Sequence, residues 1–337
     1  MADRTRILAV TDEGVASFVL SGSTAIDLAT HLVGSGARCV AVDPADARRV
    51  YVGTMDRGLY LSEDAGETWR EAGPGIAEPR VLSLAVSRSH REAGTSAVYA
   101  GTEPSNLYRS EDGGRSWQLL PALRELPSEP RWSFPPRPWT HHVRTIALHP
   151  TDADWLAVGI ELGGVMRSRD GGESWIDHNP QAHSDAHELL THSLAPNRIY
   201  ESAGQGIARS EDRGETWSHY EQDLDRHYAW AQAVDPEDPD LWYVSVSRSP
   251  FAAHGDGDGQ SRLWRSHGDD WHAIDNWSDS AEHRRMPYAL LTFAGHANRL
   301  LVGLRGGILL LTDDCGEQWL ELPVRLPGLI DLATVPS

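Results

Sequence analysis

Hydrophobic residues along this 337-residue chain fall in short runs that alternate with polar positions and break at Gly, Pro, Asn or Asp about every 8 to 12 residues. That pattern predicts β-strands from end to end; no stretch keeps the period of an amphipathic helix over a useful length. Apolar segments that close on a proline, at 40–44, 143–150, 189–196 and 229–236, mark the first strand of a repeating unit, and 50–53, 156–159 and 242–246 mark the second.

A fixed phrase follows the second strand. Ser62-Glu-Asp64-Ala-Gly66-Glu-Thr68-Trp69 recurs at 110–117, 168–175 and 210–217, and in worn form at 266–271 and 312–319. Its tryptophans, Trp69, Trp117, Trp175, Trp217, Trp271 and Trp319, step by 48, 58, 42, 54 and 48 residues, close to the ~40 to 50 residues of a four-stranded propeller blade. Residues 6–10 and 15–20 lack the phrase but have the pattern of the second and third strands of a seventh blade, and 328–334 that of its inner strand. Both chain ends then share one blade, which closes the ring and leaves no free sheet edge. The expected fold is all-β: a seven-bladed β-propeller of four-stranded blades, one domain over 1–337, with the last blade closed by both termini. Six blades with a free N-terminal arm is the alternative.

Within the phrase, Ser and Asp side chains can bond backbone amides and close a turn, Gly takes the positive φ the turn requires, and Trp packs between neighbouring sheets. Written Ser-x-Asp-x-Gly-x-Thr-Trp, it resembles the Asp-box, or bacterial neuraminidase repeat, over about residues 38–320. The resemblance is specific for fold and broad for function. Asp-box propellers include sialidases, other glycoside hydrolases, sorting-receptor ectodomains and a photosystem assembly factor, so function has to be argued from a site.

Charge narrows the field of partners. With 30 basic against 49 acidic residues the net charge is −19, which repels phosphate backbones and anionic lipid, so neither nucleic acid nor a membrane is expected. Every basic residue is an arginine; a chain without lysine has no Schiff-base nucleophile and no Walker lysine. No apolar run reaches the ~18 residues of a membrane span, and Asp3, Arg4, Arg6, Asp12 and Glu13 occupy the place of a signal sequence's apolar segment. Cys39 and Cys315 alone suit a reducing compartment. A cytoplasmic monomer is expected.

In a propeller, the loops entering the inner strands and those joining second to third strands surround one mouth of the channel. Aligning inner strands by their closing proline puts His141, His187 and His227 at one level of three consecutive blades, with His142, Glu188 and Tyr228 one place later and Arg144, Leu190 and Trp230 three places later. Three imidazoles facing one point would hold a divalent transition metal, with Glu161 or Glu188 as fourth ligand or general base. The ends of second strands add Glu103, Glu161, Asp12 and Arg305, and nearby loops add Arg57 and Arg248. Glu103 and Glu161 on adjacent blades would serve as the acid and base of a glycoside hydrolase, with Tyr228 and Arg144 as the other catalytic candidates. Trp132, Trp139 and Trp230 would be stacking platforms for a sugar, and His142, Glu188, Arg57, Arg248 and Arg305 further binding groups.

A proline-rich arm at 119–140 has the make-up of a lid, and 249–261 that of a flexible loop. The resemblance to sialidases would cast Arg57, Arg248 and Arg305 as a carboxylate-binding triad, yet the N-terminal Arg-Ile-Pro motif that carries the first of those arginines is missing. Two classes of function remain. One is a pocket that binds or transforms a small polar or carbohydrate-type ligand, glycoside-hydrolase-like or metal-dependent; the other is a scaffold whose face holds a protein partner.

Overall fold

The alternating runs become short antiparallel strands, each paired with the next in sequence. A computed structural model describes residues 4–92, 94–220, 224–274, 276–277, 280 and 282–336. Seven inner strands, Ala37–Val42, Arg80–Glu92, Val143–Leu148, Ala186–His192, Tyr228–Asp235, Pro287–Phe293 and Asp331–Val335, begin seven separate sheets. Each inner strand touches the inner strands before and after it, so the sheets close a ring around a central channel. Blades 1 to 6 follow chain order. Blade 7 takes Asp331–Val335 as its inner strand and Arg4–Thr11, Gly14–Ser21 and Thr24–His31 as the outer three, paired from Arg6 with Val335 to Val10 with Asp331. The N-terminal residues therefore form a blade and not a free arm. Blade 3 has three strands, and a single bridge between Arg167 and Ile176 stands in for its fourth.

The core lies between blades. Ile7 and Phe18 of blade 7 pack on Leu301 and Leu309 of blade 6, and Tyr51 and Leu61 of blade 1 on Val98 and Tyr108 of blade 2; each such side chain contributes about 1.5 to 3 kcal/mol by leaving water. The phrase hairpins stitch the outer rim. In blade 2 the Asp112 carboxylate accepts from the Ser110 hydroxyl at 2.8 Å, from the Ser116 amide at 2.9 Å and from the Ser116 hydroxyl at 2.6 Å, while the Gly114 amide donates to Ser110 Oγ at 2.8 Å. Asp64, Asp170, Asp212 and Asp314 repeat this pattern. At Gly114, φ is +84° and a Cβ would sit 2.8 Å from the Tyr51 ring, so the hairpin approaches blade 1 only as glycine. Of the six tryptophans, Trp117 and Trp217 are buried; the other four are half-buried at the outer rim.

A second device links the blades. The arginine just before the phrase's first serine reaches the next blade's hairpin: Arg109 donates to Gly171 O at 3.1 Å, Arg167 to Arg213 O at 3.3 Å, Arg209 to Gly268 O at 3.4 Å, and Arg265 to Cys315 O. Each also meets a carboxylate there, Glu173, Glu215, Asp269 and Glu317 in turn. A planar guanidinium with five donors suits this double duty.

The expected lid is a packed wall. Two short 3-10 turns, Pro121–Glu125 and Glu129–Arg131, bury Leu123, Leu126 and Trp132 against Tyr99, Val143 and Ile160. The expected flexible loop contains a one-turn helix, Pro250–His254, whose Ser249 hydroxyl caps the Ala252 amide at 3.2 Å. Cys39 and Cys315 are free thiols. No helix among the described residues is long and apolar enough to cross a membrane.

Candidate functional site

At one mouth of the channel, blade 4 begins its inner strand at Ala186. Asp185 and His187 flank that residue, and the two-residue repeat of a strand directs both to one side. Glu161, at the end of blade 3's second strand, joins them: one donor atom each from Glu161, Asp185 and His187 lie within 4.8 Å of one another. His187 Nδ1 is 2.6 Å from the Ala229 carbonyl and so carries the proton, which leaves Nε2 as a bare lone pair 3.8 Å from Asp185 Oδ2. Asp185 accepts from the Leu162 amide at 3.3 Å, and a Cβ on Gly204 would lie 2.0 Å from its Oδ2, so this position has room for the carboxylate only as glycine. His142 Nε2 sits 3.1 Å from Glu161 Oε2.

Aromatic rings wall the cluster. Trp230 lies 4.8 Å from the His187 ring, and Tyr228 5.0 Å from it. His254 is held between two phenols, Nε2 2.6 Å from Tyr228 OH and Nδ1 2.6 Å from Tyr288 OH. The Arg144 guanidinium stacks 4.5 Å over Trp230. Among the described residues Arg144 has no hydrogen bond or ion pair, and its Nε is buried. Trp230, covered by Arg144, His187 and His254, is part of this wall.

The environments of the titrating groups differ. Burial would raise Glu161, but the His142 hydrogen bond and the charges of His142, His187 and Arg144 prevail and hold it at about 2. Burial raises Asp185 against the pull of His187, with the Glu161 charge adding to the rise. Burial lowers His187, and lowers His254 to about 4, so both imidazoles are neutral near pH 7. Burial also pushes Tyr228 far above the ordinary phenol range, which keeps its proton in place. Deeper in the channel, burial raises Glu188 to about 8 and Asp331 to about 6; Glu188 accepts from the Gln232 amide at 2.8 Å and Asp331 from the Val40 amide at 3.1 Å. One ionised carboxylate beside one biased toward protonation is the arrangement by which paired acids divide acid and base roles.

Several residues singled out in the sequence stand elsewhere. His141 faces the arm, its Nε2 3.5 Å from Glu129 and its ring edge-on to Trp132. His227 is exposed, with Nε2 3.3 Å from Leu224 O. Only His187 of the trio reaches the cluster, so the three imidazoles do not share a point. Strand pairing sets Val143, Ala186 and Ala229 level, opposite Ile160, Ala203 and Val246, so His187 stands level with Arg144 and Trp230, and Asp185 with His142 and Tyr228. An alignment on the closing proline runs three residues out in blade 4, where Pro196 already belongs to the second strand. Glu103 is engaged by Arg137 and Arg80, tying down the arm, and the carboxylate beside Glu161 in the cluster is Asp185. Trp132 is buried, donating to Ser128 Oγ at 2.9 Å, and Trp139 is 79% exposed, so neither roofs the cluster. Arg57 and Arg248 are exposed and without side-chain partners among the described residues. Arg305 donates to the carbonyls of His254 and Gly255, which fixes the loop that delivers His254.

Asp185, Gly204, His254 and Tyr288 went unread. An Asp-x-His at a strand start signals Asp185, whereas His254 sits in a Gly- and Asp-rich segment that resembles linker. Two surface clefts, of about 290 and 340 Å³, are lined by neither Glu161, Asp185 nor His187. The first is walled by Asp152 and Arg213, an ion pair at 2.7 Å, and the second borders the arm.

No protein-family model matches the chain, and no curated protein matches it. Solved structures do. A GH74 xyloglucanase from Xanthomonas campestris superposes with a TM-score of 0.68 at 17% identity, over 98% of this chain and 52% of that one. An ancestral GH74 enzyme gives 0.64 at 18%, over 86% and 38%. YCF48 bound to a D1 peptide gives 0.58 at 16%, over 85% and 82%. The likeness is one of fold. This chain spans about half or less of the two GH74 proteins and most of the YCF48 chain.

Proposed function

We propose that the chain is a one-domain Asp-box propeller that binds a small polar, carbohydrate-type ligand at its channel mouth. The observation that carries this is Arg144, a guanidinium stacked on Trp230 but with no hydrogen-bond or ion-pair partner among the described residues, beside Glu161, Asp185 and the Tyr228–His254–Tyr288 relay. Donors and acceptors thus face one another across a short distance, and a sugar, whose every hydroxyl both donates and accepts, satisfies both kinds together. The GH74 neighbours support the ligand class. Calorimetric titration with neutral and acidic monosaccharides and with xyloglucan oligosaccharides tests the reading. A saccharide should bind the parent, and Arg144→Met should bind it at least about tenfold more weakly with melting unchanged. Silence across the panel, or an Arg144→Met chain that binds like the parent, refutes it.

A second reading, a face that holds a peptide, is favoured by the YCF48 match over most of both chains and by the exposure of Trp139 and Phe251, 79% and 91%. Replacing both by Ser would abolish peptide capture on an array and leave saccharide binding intact.

A further inference from the structure

We propose that Glu161, Asp185 and His187 form a zinc site, independent of the saccharide reading. The position of His187 carries the argument. Its side chain is 1% exposed, its Nδ1–H is taken by the Ala229 carbonyl, and its Nε2 lies 3.8 Å from Asp185 Oδ2, too far for a hydrogen bond. A cation between Nε2 and the two carboxylates would be met by all three donors at once. An imidazole whose far nitrogen donates to a backbone carbonyl is also the usual posture of a metal-ligating histidine, since that bond fixes both tautomer and ring orientation.

The distances fit. Two donors about 2.0 to 2.2 Å from one tetrahedral zinc lie about 3.3 to 3.6 Å apart; His187 Nε2 to Asp185 Oδ2 is 3.8 Å and all three donor atoms lie within 4.8 Å of one another, so side-chain shifts of at most about 1.5 Å bring them onto one ion. Charge fits as well. With a cation bound and both carboxylates ionised, Arg144 offsets one of their two negative charges and leaves the other for the cation. His142 on Glu161, the Leu162 amide on Asp185 and the space left by Gly204 orient the ligands from outside. Three protein donors leave a fourth position for water or a ligand hydroxyl, and the neutral imidazole with oxygen donors selects a borderline cation such as zinc over calcium or magnesium. His141 and His227 take no part.

Full-length chain, treated with chelator and dialysed, is titrated with zinc chloride by calorimetry, and bound metal is counted by elemental analysis after gel filtration. One zinc per chain is expected. Asp185→Asn and His187→Gln should each weaken uptake about 100-fold and Gly204→Ala about 10- to 100-fold, while His141→Ala and His227→Ala bind like the parent. Apo-protein melting shows whether each variant is folded. Should Asp185→Asn unfold, Glu161→Gln takes its place, with the same loss expected. Absence of stoichiometric zinc on the parent, or parent-like uptake by any folded ligand variant, overturns the site. No sugar enters the experiment, and no zinc enters the saccharide titration, so the failure of either proposal is visible without the other.

Discussion

The two faces of the ring are built by opposite rules. On the hairpin face the same polar contacts recur from blade to blade: Asp112 has its amides and hydroxyls, and Arg167 has Arg213 O and Glu215. At the channel mouth nothing repeats and partners are missing, as with Arg144 and His187 Nε2. A symmetric, satisfied surface contributes stability; an asymmetric one with open valences contributes binding, at a local cost in stability.

Three experiments bear on that division. The largest effect is expected at the seam. Removing residues 328–337 takes away the inner strand that pairs with Arg6–Val10, opens two sheet edges and should yield insoluble protein or a collapse of thermal stability. A truncated chain that melts like the parent would mean that neither face depends on ring closure. Next comes Asp112→Ala, expected to cost ~1 to 3 kcal/mol in denaturant unfolding while leaving zinc and saccharide binding untouched. Weakened binding at unchanged stability would show that the faces are coupled.

The smallest effect is a difference in the sign of pH dependence. Hydrogen bonds from Thr68 hold Asp64 at about 2, below the ordinary 3.8, so its contribution is present above pH 3.8 and fades as the pH falls toward 2. Asp331, raised by burial from 3.8 to about 6, behaves oppositely: the folded chain keeps a proton that the unfolded chain has released, so its contribution is full below pH 3.8 and fades as the pH rises to 6. Unfolding followed across pH 4 to 6 should show less loss with rising pH in Asp331→Asn than in the parent. Equal slopes would remove Asp331 from the account.

Legibility followed the same division. The phrase and its spacing predicted the blades and their closure by both ends, because a repeat restates its own alignment six times. Arg109, Arg167, Arg209 and Arg265, each directly before a serine of the phrase, carried the inter-blade links in plain sight. The mouth resisted. The proline that directly follows the inner strands of blades 3 and 5 has no counterpart in blade 4, where Pro196 already belongs to the second strand, so an alignment on proline sets that blade three residues out of step and picks His141 and His227 in place of His142 and Tyr228. His254 was hidden further by a loop that owes its order to Arg305, a contact between segments about 50 residues apart.

The arginine before the phrase has one more consequence. Donor and acceptor of each link sit at equivalent places in successive repeats, always reaching forward, so a repeat carries a complete plug at one side and a complete socket at the other. Within blades 2 to 5, duplicating or excising a whole repeat in register leaves every remaining plug facing a socket, whereas a cut within a hairpin breaks one; in blades 1 and 6 Leu61 and Leu311 stand in the arginine's place. Such a ring can change its blade number by recombination between repeats without inventing a new junction, while the mouth, whose residues come from four different blades, cannot be copied that way.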